Sequence, residues 1–226
     1  MIHWESHACL PLHPQASFAP IDRLHAAGVG YVSINVGMDM NPVQQALSVI
    51  AGFRATIAAH PGRYRLVHRV ADSSQPVIFS HANPLALVAH GRNISDAKIR
   101  ACAATGGVVC VSGVSFFLGT TTPTAADVAR HVAYVADLVG VQHVGIGLDI
   151  SFHQPELNDD PPSNYIPGYW WPKSAGYDRS ICPAKYTPLE TWQVLAQALH
   201  GVGMGTDAAA LVMGGHMLRI AGQVWG

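Results

Sequence analysis

The sequence contains little charge of either sign. Aspartate, glutamate, lysine and arginine make up 12% of the 226 residues, and the formal net charge is −1. A nearly neutral chain has no basic surface for nucleic acids or anionic membranes, so we expect neither as a partner. The hydrophobic residues, at 49%, suffice for the core of one large domain, and we predict a single domain over residues 1–226.

Paired cysteines are missing as well. The four cysteines stand at positions 9, 102, 110 and 182, and no two of them form a CxxC pair. This argues against a zinc ribbon and against a disulfide framework, and free thiols fit a reducing compartment. The first ten residues, MIHWESHACL, lack the basic and long apolar regions of a signal peptide. We therefore expect a cytoplasmic protein.

No stretch is typical of a membrane span. Residues 101–126 carry no charged side chain, but glycines and a proline interrupt them, with serines and threonines between. Such a segment predicts a helix end, a buried strand and a loop, and not a transmembrane helix.

The sequence does contain an alternation of apolar strands and helix-like segments, which is typical of an α/β protein with a parallel sheet. Strands are predicted at 1–9, 28–38, 76–81, 106–118 and 142–150, and helices at 41–60, 95–105, 124–139, 187–200 and 206–224. At the start of the third helix, Thr124 and Asp127 have the spacing of a capping box. About five β/α units result, whereas a (β/α)₈ barrel has eight.

The segment between Ile150 and Tyr186 contains six prolines. A long irregular loop inside a compact domain is commonly a functional lid. This one directly follows a strand that ends on Asp149. We interpret it as a loop that covers the substrate, with a solvated connection as the alternative.

Histidine, cysteine and aspartate stand where strands end. His7 and Cys9 are two residues apart and so face the same side of a strand, while His81 and Asp149 each end a later strand. Because the carboxyl ends of parallel strands meet on one side of the sheet, these side chains can converge around a metal ion such as zinc. Each signal is weak by itself. A strand-end histidine is commonly structural, and Cys9 can be a small buried hydrophobe.

Arg92 and Asn93 follow His81 by eleven and twelve residues, just before a predicted helix. One interpretation is a solvent-facing arginine near a helix start. The other is an arginine that binds a carboxylate, a task suited to the bidentate geometry of the guanidinium group.

Three segments together resemble the membrane (renal) dipeptidase family of zinc peptidases. They are PVIFSHANPLALVAHGRNISDAKIRACAATGGVV, HVGIGLDI and GGHMLRIAGQVW. The resemblance implies a metal-dependent hydrolase fold of the TIM-barrel type, two zinc ions, and hydrolysis of dipeptides, including those with a C-terminal D-residue. It implies metal binding by His7, Cys9 and His81, substrate binding by Arg92 and Asn93, and Asp149 as the catalytic proton acceptor.

The chain also departs from that family. The position of Cys9 is aspartate in most relatives, and a middle segment is missing between the helix at 41–60 and the strand at 76–81. In the family that segment carries a glutamate that bridges both metals, a histidine that stabilises the intermediate, and a further ligand. Its absence implies an incomplete barrel. Glu5 or His68 can be a substitute ligand, although Glu5 is more simply interpreted as a surface residue of the first strand.

We therefore predict a zinc-dependent dipeptidase whose activity is impaired by the missing segment. Two alternatives stay open: a catalytically inactive remnant or partner-binding protein of the same fold, and a mononuclear metal hydrolase of another substrate class, with His7, Cys9 and His81 as ligands. The number of zinc ions bound per chain distinguishes them. The missing units also predict an open strand edge beside residues 77–80, and with it a homo-oligomer.

Overall fold

The structure is a computed structural model that describes residues 3–38, 41–66, 76–152 and 185–225. The strands are β1 (His3–Cys9), β2 (Val29–Ile34), β3 (Ile78–Phe79), β4 (Val108–Val111), β5 (Val144–Ile146) and β6 (Ile150–Ser151). The helices are α1 (Ala19–Ala26), α2 (Val43–Ala59), α3 (Asp96–Ala104), α4 (Ser115–Leu118), α5 (Ala125–Val139), α6 (Thr191–Gly201), α7 (Thr206–Ala210) and α8 (His216–Trp225). A 3₁₀ turn covers Val141–His143 and a π-helical turn covers Leu211–Gly215. The predicted α/β class is confirmed.

The strands form two parallel three-stranded sheets, in the orders β2-β1-β6 and β3-β4-β5. One extended segment, residues 144–152, connects them, because β5 pairs with β4 and β6 pairs with β1. Between these strands, the N–H of Gly147 donates to the carbonyl of Val111, and the N–H of Asp149 donates to the carbonyl of His7, each at 3.0 Å. The carboxyl ends of β1 and β4 therefore lie on either side of the same segment.

The main hydrophobic core lies between the strands and helices α5 and α6. Apolar residues recur at helical spacing on one face of each helix and are buried against the sheet. The fully buried members include Val109, Val111, Val128, Val132, Val135, Ile146, Leu195 and Leu199. Burying each such side chain contributes about 1.5–3 kcal/mol, so this interface holds the layers together.

β1 is irregular near its carboxyl end. Glu5 lies opposite Val32 and Ala8 lies opposite Ile34, so three steps along β1 match two steps along β2. Such a β-bulge interrupts the alternation of side chains. Because Val32 and Ile34 share one face of β2, Glu5 and Ala8 share the corresponding face of β1. His7, the neighbour of Ala8, points to the other side.

Residues 106–118 do not form one strand, contrary to the prediction. β4 ends at Val111, and Ser115–Leu118 form a helical turn. The change occurs at Gly113, where a Cβ would lie 2.2 Å from the Thr187 hydroxyl oxygen. The N–H of Thr187 also donates to the carbonyl of Gly113. A close contact with a distant segment, which the sequence pattern does not reveal, therefore ends the strand.

Two helical regions also differ from the prediction. The sequence pattern does not predict α1, although Pro20 stands in its first turn and Gly28 lies just beyond its end. The helix predicted over 206–224 is interrupted by the π-helical turn, which contains Gly214 and Gly215. Adjacent glycines weaken the interior of a helix, which accounts for the interruption.

Most of the loop predicted over 150–186 lies outside the described residues. Its described ends are β6 and Tyr186, which forms an antiparallel bridge with Val114. Within the described ranges, no helix is both long and apolar enough to cross a bilayer.

The predicted homo-oligomer depends on the edge of the sheet at β3. Within the described residues β3 pairs with β4 alone, and Val77 and Ile78 are 45% and 36% exposed. We expect light scattering after size exclusion to give a mass that rises above that of a monomer with concentration. Val77→Lys should shift the protein toward the monomer, because a charge on an edge opposes strand pairing. Val194→Lys, at a valine that is 48% exposed on α6, is the matched control. A monomer at every concentration would contradict the prediction.

The capping box of α5 is confirmed. The Thr124 hydroxyl accepts from the N–H of Asp127, and the Asp127 carboxylate accepts from the N–H of Thr124. Thr124→Ala should lower the free energy of unfolding by about 1 kcal/mol, because the helix loses this partner for an end N–H group. Urea denaturation measures the change, and Thr121→Ala, at an exposed threonine just before the helix, serves as control. Equal midpoints for the two variants would contradict it.

Candidate metal centre

His7, Cys9 and Asp149 form one cluster at the carboxyl end of β1. His7 Nε2 lies 3.6 Å from Cys9 Sγ and 3.5 Å from Asp149 Oδ1, and Cys9 Sγ lies 3.6 Å from the same Oδ1. All three side chains are half-buried. An imidazole nitrogen, a thiolate and a carboxylate oxygen are the three donor types that zinc takes in proteins, so the cluster fits this metal.

Backbone contacts hold the residues of this cluster in register. The N–H of Asp149 donates to the carbonyl of His7, and the N–H of Phe152 donates to the carbonyl of Cys9 at 2.9 Å. Asp149 has φ of 61°, the one positive value among the described non-glycine residues. Aspartate tolerates this left-handed conformation better than most residues. Residues held in such conformations are concentrated at functional sites.

His81 lies next to the cluster but uses its nitrogens elsewhere. Its ring stacks on the ring of His7 with centroids 3.9 Å apart. Its Nε2 is hydrogen-bonded to Nη2 of Arg92, and its Nδ1 lies 2.8 Å from the Ser80 hydroxyl. Since a guanidinium group can only donate, Nε2 must accept, and we infer that the proton of the neutral ring is on Nδ1 and directed at Ser80.

Arg92 and Asn93, the predicted substrate-binding residues, differ in their surroundings. Arg92 is exposed at the edge of the cluster. Asn93 is buried, and its amide nitrogen donates to the carbonyls of Val88 and Phe117. The guanidinium group is therefore accessible to a ligand, whereas the Asn93 amide group supports the loop that carries it. A substrate contact of either residue stays a prediction.

Burial sets the protonation of the cluster. Desolvation lowers the pKa of His7, with a contribution from the charge of Arg92, and lowers the pKa of His81 to about 3, with contributions from His7 and Arg92. Both imidazoles are therefore neutral at neutral pH. Burial raises the pKa of Asp149 to about 6, although the Cys9 hydrogen bond and Arg92 lower it. Burial and the Asp149 charge raise the pKa of the Cys9 thiol, which keeps its proton without a metal.

Part of the chain matches a known protein family. Residues 58–160 match the family model described as membrane dipeptidase, peptidase family M19. This part of the chain is similar in sequence to the membrane dipeptidases. Arg92 and Asp149 lie inside the matched range, whereas His7 and Cys9 precede it. The resemblance predicted from the sequence is confirmed.

Two curated relatives are dipeptidases by name. Dipeptidase verJ of Clonostachys rogersoniana is 39% identical over 82 residues, which are 36% of this chain and 21% of that protein. Dipeptidase aclJ of Aspergillus oryzae is 29% identical over 154 residues, with 66% of this chain and 30% of that protein covered. The chain therefore spans less than a third of the length of either relative.

A solved structure shares the fold. An amidohydrolase from Pseudomonas aeruginosa matches with a TM-score of 0.53 and 23% identity, over 92% of this chain and 70% of that one. At this identity the likeness concerns the fold alone: the chain has a fold similar to that of this amidohydrolase. The incompleteness of the barrel stays a prediction.

Sequence reasoning missed the environment of two residues beside the centre. Glu5 is fully buried, so its interpretation as a surface residue is wrong, and its Oε1 accepts the N–H of His7 at 2.9 Å. The β-bulge that follows Glu5 separates its face of the strand from that of His7. Tyr186 lies close enough that partial burial and the charges of Asp149 and Cys9 raise its pKa to about 12. No sequence motif marks either residue. His68, the other proposed substitute ligand, lies outside the described residues.

Glu5 gives a prediction on stability against pH. Burial raises its pKa to about 8, despite the His7 N–H, which favours the ionised form. In the folded state the carboxyl is neutral up to about pH 8, while in the unfolded chain it ionises near pH 4.5. Rising pH therefore favours the unfolded state across this window. Glu5→Gln, which has the same shape and keeps an acceptor, should gain stability relative to the wild type from pH 5 to pH 8.

The measurement is urea denaturation of both proteins, without metal, at pH 5, 6, 7 and 8. The difference in unfolding free energy should grow by up to about 1.4 kcal/mol per pH unit, the limit for one proton. Glu190→Gln, at an exposed glutamate at the start of α6, is the control and should show no such growth. A constant difference for Glu5→Gln would contradict the prediction.

Proposed function

We propose that this chain carries a metal-dependent hydrolase site of the dipeptidase type, with zinc as its metal. The observation that supports the proposal is the arrangement of the donor cluster, His81 and Arg92 at one end of the sheet. His7 is in contact with His81 by stacking, and His81 is hydrogen-bonded to Arg92. A potential metal site and a cationic anchor therefore lie side by side.

The metal ion and the residues of the site would each have a separate role in hydrolysis. A bound zinc ion would activate water and polarise the carbonyl of the scissile bond. The carboxylate of Asp149 would accept the proton of the attacking water and transfer it to the leaving amine. The guanidinium group of Arg92 would hold the free carboxylate of the substrate through paired hydrogen bonds.

The spacing of these groups favours a short substrate. One imidazole ring, that of His81, separates the guanidinium group from His7. A peptide whose carboxylate binds Arg92 therefore has its last peptide bond close to the donor cluster. We accordingly propose dipeptides, including those with a C-terminal D-residue, as the substrate class.

A second candidate function is a catalytically weak or inactive relative of these enzymes. It is favoured because, within the described residues, only one group of three donors can hold a metal ion. Burial of Glu5, with Oε1 accepting the N–H of His7, argues against its use as a bridging glutamate. The single domain over 1–226 and the cytoplasmic location are further proposals, the latter supported by the free thiols of Cys9, Cys102 and Cys110.

The first test is hydrolysis of L-Ala-D-Ala and Gly-D-Ala in zinc-supplemented buffer. We expect weak turnover, because the loss of one group that stabilises the oxyanion alone typically costs about 10²–10³ in rate. Chelator and Asp149→Asn should each abolish what is measured. No turnover by protein that contains zinc would favour the inactive relative. Fast turnover that chelator and Asp149→Asn both abolish would contradict the predicted impairment.

The second test concerns Arg92 and does not depend on turnover. Arg92→Met should weaken binding of Gly-D-Ala to the zinc-loaded protein between about tenfold and 100-fold, the value of a charged hydrogen-bonded pair. Binding of the dipeptide amide, which has no carboxylate, should not change. Calorimetry measures both, and Arg54→Met, at an exposed arginine on α2, is the control. An equal loss for both ligands would exclude carboxylate recognition by Arg92.

A further inference from the structure

We propose that β2 and β3, the two free edges of the sheet, are docking surfaces for a second copy of this chain. β2 of each copy pairs in parallel with β3 of the other, so that two contacts close a dimer. The inference does not rest on the proposed function. It also goes beyond an exposed edge at β3, because it gives that edge a different partner strand and fixes the number of copies at two.

The first argument is the order of the strands. Residues 144–152 join the two sheets into one run of parallel strands, in the order β2, β1, residues 144–152, β4 and β3. Within the described residues β2 pairs with β1 alone, and β3 pairs with β4 alone. The run therefore ends on two free edges that face in opposite directions along the sheet. β3 of a second copy can continue the run beside β2 with all strands parallel.

The second argument is where large apolar side chains are exposed. Ten are exposed among the described residues, and six of these lie towards the two ends of the run. Three follow β2 along the chain and form the β2 patch: Met38, Val43 and Leu47, which are 45%, 74% and 59% exposed. Three lie within β3 or close to it in the chain and form the β3 patch: Val77, Ile78 and Leu85, at 45%, 36% and 40%. Exposed apolar patches of this kind mark interaction sites on soluble proteins.

Helix α2 shows why the β2 patch requires a partner. Its inner face packs through Val49 and Phe53 against the segment that follows β1, with the rings of Phe53 and Phe18 at 5.4 Å between centroids. Val43 and Leu47 lie on the exposed face, and Arg54 is the one charged residue of the helix. A helix that is apolar on both faces is typically buried on both.

Charge does not oppose pairing at either edge. β2 and β3 contain no charged residue. Soluble proteins commonly protect a free edge with lysine or another charged side chain, which discourages pairing with a second chain. Two copies can therefore join these edges without bringing like charges together.

The last argument is area. β2 has six residues and is about 20 Å long, and one strand layer with one helix layer is about 20 Å thick. A contact along one edge therefore covers on the order of 400 Å² per copy, whereas a stable interface takes about 800 Å² per partner. One edge is too small, and two together are sufficient. A twofold axis along the strands supplies both contacts at once, and it closes the assembly at two copies.

Such a dimer would border the candidate metal centre, because β3 leads directly into Ser80 and His81. With the axis along the strands, the carboxyl ends of all strands lie at one end of the dimer. Both candidate centres would therefore open on the same side.

The first measurement is the mass of the full chain by light scattering across a range of concentrations. We expect the mass to rise from that of the monomer to twice the chain mass of 24.0 kDa and to go no higher. The reason is that a closed dimer leaves no free edge for a third copy.

The second measurement is cross-linking of cysteine variants with a short bismaleimide. Ser33→Cys, at an exposed serine, has its thiol on β2, and Ile78→Cys has its thiol on β3. Two differently tagged chains, one with each variant, are co-expressed, and mass spectrometry of the linked peptides separates these links from any made through the native cysteines. We expect a link between residues 33 and 78 in the co-expressed pair and no new link in either variant alone. Val202→Cys, at an exposed valine just after α6, takes the place of Ile78→Cys as the control and should give no link.

Links in the Ile78→Cys chain alone would mean that β3 pairs with β3 of the other copy, and they would overturn the inference. A mass that continues to rise past two copies would also overturn it, since the assembly is then an open series of copies. A monomer at every concentration would do the same, and would leave the two edges free or covered by a different protein. Because the mass is measured on the unmodified chain, a variant that fails to fold by circular dichroism does not remove the test.

Discussion

Residues 144–152 are hydrogen-bonded to a neighbouring strand on each of their two sides, and the rest of this structure depends on that constraint. On one side the segment pairs with β4, and on the other it pairs with β1. It therefore fixes the separation of two sheets that share no strand within the described residues. The same pairing puts Asp149 beside His7 and Cys9. β4 in turn anchors the chain after β3, because Ala82 donates its N–H to the carbonyl of Cys110. The donor cluster thus follows from strand pairing.

The sequence was sufficient to predict which residues meet at the candidate site. It was not sufficient to predict how their side chains are arranged there. The rule that parallel strands end on one side of a sheet placed His7, Cys9, His81 and Asp149 together, and the structure brings these side chains into contact. Which of them lie in the His7, Cys9 and Asp149 cluster depends on tertiary contacts. Arg92 and Ser80 are hydrogen-bonded to His81, and the left-handed backbone of Asp149 itself orients the Asp149 side chain. None of these contacts has a sequence period, so no pattern of spacing could predict them.

The wrong predictions for residues 106–118 and for Glu5 also have their cause in tertiary contacts. β-branched residues favoured a long strand over 106–118, but packing of Thr187 against Gly113 ends it early. Glu5 was interpreted as a surface residue of the first strand, yet it is fully buried, and the bulge that follows it puts His7 on the other side of the strand. In both places a local propensity was overruled by a contact between segments far apart in the chain. The helices with clear apolar periodicity, α5 and α6, had no such competitor and were both predicted, although α6 begins at Thr191 and not at residue 187.

The left-handed backbone at Asp149 limits how this centre can change. Glutamate and cysteine, whose side chains can also be anionic, would have to adopt a conformation that costs them more than it costs aspartate or asparagine. Asparagine lacks the charge, and glycine has no donor. Cys9, in contrast, has no left-handed backbone and lies on strand β1. Under the proposed function, divergence in metal preference among proteins with this backbone is therefore expected at position 9, while position 149 keeps a short carboxylate for reasons of conformation as much as of chemistry.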